Sequence, residues 1–282
     1  MEILRVLMAE CIPIGVFIAF IYYERGRRKQ QRERPPVQEK LLRTPGYGLT
    51  RKIEDLQDTI TTLLGGAATS ALCFALVLMR PTNPSEDVPI LAVMSGTAAI
   101  CIVFTIRKVA VLRRLRLGLL GEQFVAEQLQ SLAGNRVFHD IPGDGKWNVD
   151  HVAVGPGGVF VIETKCRTKK PSRNELREQD AVFDGSVIRF PWCEDRKVVG
   201  QVQGNARWLG GMLTKATGER VVAQPIIALP GWLVTLKANS DVKVLSGKQV
   251  PGYINSQPAV LSPKEIQQIA YQLEQRCRDV EF

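Results

Sequence analysis

The stretch Asn148–Lys165, NVDHVAVGPGGVFVIETK, admits few structures. Apolar and other residues alternate over Val149–Val154, the chain breaks at Gly155-Pro156-Gly157-Gly158, and a β-branched and aromatic run follows from Val159 to Lys165. That is the pattern of two strands joined by a tight loop. With GPGG as the loop, Val154 faces Val159, and stepping back along both strands sets Asp150 opposite Glu163. Side chains alternate faces, so Lys165 shares the face of Glu163, whereas His151, Phe160, Ile162 and Thr164 point away.

Two carboxylates facing each other across a sheet cost a few tenths to about 1 kcal/mol, which an arrangement built only for stability avoids. A divalent cation offsets the repulsion: Mg²⁺ takes one or two carboxylates together with waters and phosphate oxygens. A lysine two residues on can orient a water or steady charge that builds on phosphorus. A solvated strand end with scattered charges presents the same short pattern, so the wider context has to decide.

That context is a set of separated motifs. Asp150, thirteen residues, then Glu163-Thr164-Lys165 resembles the PD-(D/E)xK nuclease signature. Gly121-Glu122 on a helix, Asn148-Val149-Asp150-His151 entering a strand, Gly157–Lys165, and Gln201 on a later helix together resemble the nuclease-related domain family, NERD, over roughly residues 118 to 215. Val149 stands where isoleucine is more usual, and no family motif falls between Lys165 and Gln201. The resemblance implies a restriction-endonuclease-like α/β fold, a mixed sheet flanked by helices, and Mg²⁺ or Mn²⁺ held by Asp150 and Glu163 with help from Glu122. It further implies Lys165 as the residue that positions or activates water, Gln201 in support, and DNA as substrate.

The formal charge of the 282-residue chain is +9, but its distribution matters more than its sum. Residues 1–118 hold 17 basic against 10 acidic side chains, and residues 119–282 hold 20 against 18. The basicity therefore belongs to the N-terminal part, where a membrane accounts for it. Six cysteines without a CxxC pair read as free thiols in a reducing compartment. With His139 and His151 the only histidines, a histidine-rich metal site is ruled out, and both read as structural.

Residues 1–106 read as a membrane region of about three spans. The first, 6–23, includes Glu10 and Pro13 and is followed by Arg25, Arg27, Arg28, Lys29, Arg32 and Arg34, the charge order of an uncleaved anchor. The spans 60–79 and 88–106 contain no charged residue, and small residues such as Gly65, Gly66, Gly96 and Ala98 allow close helix approach. Between the first two spans, 24–59 reads as a basic loop with a short amphipathic helix near Thr50–Gln57. The positive-inside rule places the N-terminus outside, and the 24–59 loop and everything after Ile106 in the cytoplasm, at the plasma membrane. The basic segment 107–120, RKVAVLRRLRLGLL, then reads as an amphipathic connector lying on anionic headgroups of the bilayer.

Residues 121–282 form the α/β domain. Gly121-Glu122 opens a helix whose Val125, Leu129 and Leu132 define a buried face, and Glu122 lies on that same face. Val137–Ile141 reads as a strand, and Lys146, Trp147 and Asn148 either line the site's rim or close a turn. Arg167, Lys169, Lys170 and Arg173 form a basic cluster suited to phosphate contacts on nucleic acid, or to plain solvation. A hairpin turning at Asp184-Gly185, a helix over 197–213 carrying Gln201 and its competitor Gln203, and strands at 221–229 and 242–245 follow. Ser262-Pro263-Lys264-Glu265 is a capping box that starts a last helix.

Overall fold

The computed structural model describes residues 40–79, 84–145 and 147–280, with short pieces between 15 and 26. The chain divides into two units, one of Met1–Gln38 with Lys52–Leu115 and one of Glu39–Arg51 with Arg116–Phe282. The expected first span, 6–23, and the basic residues after it fall largely outside the described residues.

Two helices, α1 (Tyr47–Met79) and α2 (Pro84–Leu129), are long and apolar enough to cross a membrane. Within the first unit they pack closely: a Cβ on Gly66 would stand 3.5 Å from Cys101 Sγ. The helix boundaries correct the sequence expectations. The short amphipathic helix near Thr50–Gln57 and the span at 60–79 are one helix, so the stretch from Tyr47 to Thr59 is not a loop. The span at 88–106, the connector and the helix expected to open at Gly121 are likewise one element. Nothing in 107–120 stops a helix, since Leu, Ala, Arg and Lys are all good helix formers, and a lone glycine costs only about 1 kcal/mol.

In the second unit the expected hairpin is present. Strands β3 (Asn148–Gly155) and β4 (Gly158–Thr164) pair antiparallel with Val154 opposite Val159, and the register ends on Gly155 opposite Gly158. The turn proper is Pro156-Gly157, and Gly158 takes a φ of 121°, a conformation glycine adopts without strain. Strand β2 (Arg136–Pro142) pairs antiparallel with β3, while β8 (Ala223–Leu229) runs parallel to β4 and β10 (Lys243–Ser246) parallel to β8. The result is a five-stranded mixed sheet in the order β10-β8-β4-β3-β2.

Period-two alternation makes both faces of β3 and β4 apolar, and helices cover each. Val152, Val154, Val159 and Val161 pack with Val202, Leu209 and Leu213 of α3 (Val198–Thr217) and with Ile269 and Leu273 of α5 (Pro263–Cys277). Ala153, Phe160 and Ile162 on the opposite face pack with Val125, Leu129 and Leu132, and with Val250 and Ile254 of α4 (Val250–Asn255). The capping box at Ser262 and Glu265 closes in both directions. A second sheet of β5 (Asp180–Phe183), β6 (Ile188–Phe190), β7 (Cys193–Asp195) and β9 (Leu233–Leu236) is ordered β7-β6-β5-β9 and buries Phe183, Ile188 and Phe190 beside Trp232. Its β5–β6 hairpin turns at Asp184-Gly185, where Asp184 Oδ1 accepts from the backbone N–H of Ser186 and Val187. The two remaining strands, β1 (Leu41–Leu42) and β11 (Arg278–Val280), pair with each other. Those cysteines described, Cys73, Cys101, Cys166, Cys193 and Cys277, are free.

Candidate active site

The β3–β4 register, carried one step past its last pair, puts Asp150 beside Glu163, and both carboxylates are buried. Backbone geometry holds the first: Asp150 Oδ2 accepts from the N–H of Thr164 at 2.7 Å. Side chains hold the second. Glu163 Oε1 accepts from Lys165 Nζ at 2.7 Å and from Gln201 Nε2 at 2.7 Å, and its Oε2 accepts from Asn205 Nδ2 at 3.2 Å. Lys165 Nζ also donates to Gln201 Oε1 at 3.3 Å. Gln201 and Asn205 sit one turn apart on α3, so the same helix face that covers the sheet presents both amides to one carboxylate.

Glu122 reaches the cluster from α2 and is also buried. Its approach depends on Gly121: a Cβ there would lie 2.4 Å from Cys166 Cβ and 3.3 Å from Thr164 Cγ2, so only glycine lets the helix sit against the end of β4. Gly121→Ala is expected to destabilise the domain by roughly 1–3 kcal/mol, the usual cost of overpacking, measured as a lowered urea midpoint. A Cys166→Gly change in the same chain should return part of the loss.

Burial, then the negative charges of Glu163 and Glu122, push the Asp150 carboxyl well above the ordinary aspartate range. Lys165 moves the other way from a typical buried lysine. Burial pulls it down, but attraction and hydrogen bonding to Glu163 outweigh that and raise its pKa. The ammonium is therefore a fixed cation of the site and not a proton acceptor at neutral pH. His139 and His151 face away, joined Nδ1 to Nδ1 at 2.8 Å.

The donor set is oxygen-rich and carries excess negative charge, which suits a hard divalent cation. Among the described residues no group of three or more His, Cys, Asp and Glu side chains forms a ready metal cage. Mg²⁺ does not need one: one or two carboxylates suffice when water and phosphate oxygens complete the shell. A cleft of about 470 Å³ is lined by Lys165 and Gln201, both hydrogen-bonded to Glu163, and by Arg167, Arg196, Lys197 and Asp195 among others. A larger one, about 580 Å³, lies against Gln203, Arg207 and Arg220, so Gln203 faces a different cleft, whereas Gln201 Nε2 donates to Glu163 and is the site's glutamine.

The basic cluster is not uniform. Arg167 Nη2 is ion-paired with Asp195, and its guanidinium lies 5.2 Å over the Phe190 ring, so it is committed to the protein and not free for phosphate. Asp195 also accepts from the N–H of Lys197 and Val198 at the start of α3. Lys169 stands 5.9 Å over Trp232, while Lys170 and Arg173 project outward. Trp147 closes the β2–β3 turn, its carbonyl accepting from Gly143 N at 2.9 Å, and its ring meets Trp208 edge-on at 4.7 Å. Lys146 lies outside the described residues.

Asn205, Arg43 and Asp140 belong to the site's surroundings without any motif in the sequence to mark them. Arg43 Nη1 donates to the fully buried Asp140 at 2.9 Å and Nε donates to Asp279 at 2.7 Å. No local periodicity marks such long-range pairs.

A family model, Nuclease-related domain (NERD), matches residues 117–230. No curated protein matches the chain. Among solved structures, SfsA of Pyrococcus furiosus in complex with Ca²⁺ is similar at 17% identity over 57% of this chain and 54% of that one, with a TM-score of 0.21. That similarity spans about half of the other chain, and no residue assignment rests on it. The match covers β2, β3, β4 and α3, and Glu122, Asp150, Glu163, Lys165 and Gln201 all fall inside the stretch that is similar to the nuclease-related domain.

Proposed function

We propose that this protein is a metal-dependent phosphodiester hydrolase acting on nucleic acid, DNA by family resemblance, tethered to the bilayer by its apolar helices with the α/β domain on the cytoplasmic side. The observation that carries this reading is Asp150 and Glu163 side by side on adjacent strands, with the Lys165 ammonium on Glu163 at 2.7 Å.

Asp150 and Glu163, with Glu122 beside them, are the residues that would hold Mg²⁺ or Mn²⁺. Bound there, the ion would supply Lewis-acid polarisation of the phosphate and activation of water. The chain's own residues do the rest. Lys165, a permanent cation at the mouth of the cleft, places a donor where negative charge grows on phosphorus. Gln201 fixes the Glu163 carboxylate through Nε2 and meets Lys165 through Oε1, so one amide orients both groups. Asn205 holds the other Glu163 oxygen from the buried side. Lys197, Lys170 and Arg173 are available for backbone phosphates, which gives binding without base reading.

One observation supports a second reading. Both oxygens of Glu163 already accept hydrogen bonds from protein groups, which also suits a non-catalytic module that binds nucleic acid or a partner protein at the membrane. Digestion of plasmid DNA and of RNA with Mg²⁺, against EDTA and against Glu163→Ala, separates the two. Cleavage that needs the metal and is lost in the variant is expected. Absence of any metal-dependent difference between wild type and variant leaves the binding module.

A further inference from the structure

We infer that Arg43, far from the acids in sequence and outside the 117–230 match, is a positioning residue for the acid cluster, acting through Asp140 and Asn148; this rests on the hydrolase reading above. Its guanidinium spans two acids. Nε and Nη2 donate to the two oxygens of Asp279 at 2.7 and 2.5 Å, and Nη1 donates to Asp140 Oδ2 at 2.9 Å and to the Asp140 carbonyl at 3.1 Å. The Arg43 N–H donates to the Cys277 carbonyl at 3.0 Å, which fixes the backbone from which the side chain reaches.

Asp140 is an unusual strand residue. It takes a φ of 51°, left-handed for a residue with a side chain, and drops out of the β2–β3 ladder between the pairs His139–His151 and Ile141–Val149. In that register its place is opposite Asp150. A carboxylate left there would add a third anion to the acid pair. The backbone twist instead carries Asp140 to Arg43, and its Oδ1 accepts from Gly48 N at 3.2 Å and from Asn148 Nδ2 at 2.5 Å. Asn148 begins β3, two residues before Asp150 and on the same strand face.

The same short segment touches the other side of the cluster. At Gly46, with φ 70°, a Cβ would lie 2.3 Å from Leu119 Cδ1 and 3.5 Å from Glu122 Oε2. Residues 43–48 thus contact the helix that presents Glu122 and, through Asp140, are linked to Asn148 at the start of the strand that presents Asp150. A buried, sterically costly Asp140 persists only while its partners over-determine it. The guanidinium's planar fork is what serves two carboxylates at once, and lysine, a single point charge, cannot replace it.

The test uses the full chain in detergent, with Mn²⁺ affinity read by electron paramagnetic resonance and cleavage of an oligonucleotide read as kcat and KM. Arg43→Lys and Asp279→Asn are expected to keep a cooperative thermal transition yet weaken Mn²⁺ binding and lower kcat by roughly tenfold or more, the usual cost of losing a group behind a metal ligand, with KM nearly unchanged. Free guanidinium should restore part of the Mn²⁺ affinity of Arg43→Ala and none of that of Asp279→Asn. Wild-type Mn²⁺ affinity and kcat in folded Arg43→Lys and Asp279→Asn overturn the inference while the hydrolase reading stands. A wild-type chain that binds no Mn²⁺ and cuts nothing overturns both.

Discussion

Asp150→Asn is expected to make the metal-free domain more stable and the enzyme inactive. Burial and two neighbouring carboxylates raise the Asp150 pKa, so the folded state holds the neutral acid better than the unfolded chain does. The sign follows: relative to an unperturbed aspartate, stability is highest in acid and is lost as pH rises through the folded pKa, so at neutral pH the charged group costs the fold. Asparagine removes that cost. Its Oδ1 can still accept from the Thr164 N–H that now meets Asp150 at 2.7 Å. A gain on the order of 1 kcal/mol, read as a rise of roughly 2–4 °C in the thermal midpoint of the α/β domain, is the expected result. Cleavage should fall by about three orders of magnitude, the scale of several kcal/mol of transition-state stabilisation. A variant that is both inactive and less stable than wild type would mean that the acid pair is compensated within the protein, and the case for a cation there would go with it.

That prediction depends on parts of the molecule that were legible in the sequence. The apolar strands on either side of Gly155-Pro156-Gly157-Gly158 and the tight turn between them fix the register, and a slip of one residue would part Asp150 from Glu163. The Ser262–Glu265 cap was legible for a similar reason, because both partners of the capping bonds lie within four residues. Gln201 was distinguishable from Gln203 only by helix phase. Gln201 and Asn205 share a face one turn apart, whereas Gln203 lines the other cleft.

What escaped the sequence was long-range or compositional. Arg43 meets Asp140 across 97 positions and Asp279 across 236, and no periodicity links them. Arg167 looked like a phosphate contact because a charge count registers the basic run but not Asp195, which β7 brings back beside it. The unbroken helix Pro84–Leu129 was divided because an apolar span, a basic connector and a Gly-Glu start differ in what surrounds them. Backbone propensity does not register that difference, since all three segments are made of helix-forming residues.

The histidine pair on the far face of the sheet makes the domain acid-labile in a window that these shifts define. His139 and His151 share one hydrogen bond between Nδ1 atoms at 2.8 Å, so one ring donates and the other accepts; a second proton would set two N–H groups against each other. Burial lowers His139 from 6.5 to about 4, and burial, then the neighbouring His139, lowers His151 well below its ordinary value. For a depressed histidine the stability is fully present above the unfolded value and is lost as pH falls through the folded one. The window is thus pH 6.5 down to about 4, and at about 1.4 kcal/mol per pH unit one ring accounts for roughly 3 kcal/mol. Asp150 opposes this, because burial and the neighbouring carboxylates raise its pKa, so that its protonation favours the fold. The histidine effect should therefore be measured in Asp150→Asn, where that counterweight is absent. Urea midpoints there should fall steeply between pH 6.5 and 4, and adding both His139→Asn and His151→Asn should flatten most of the slope. An unchanged slope would place the acid sensitivity elsewhere in the domain.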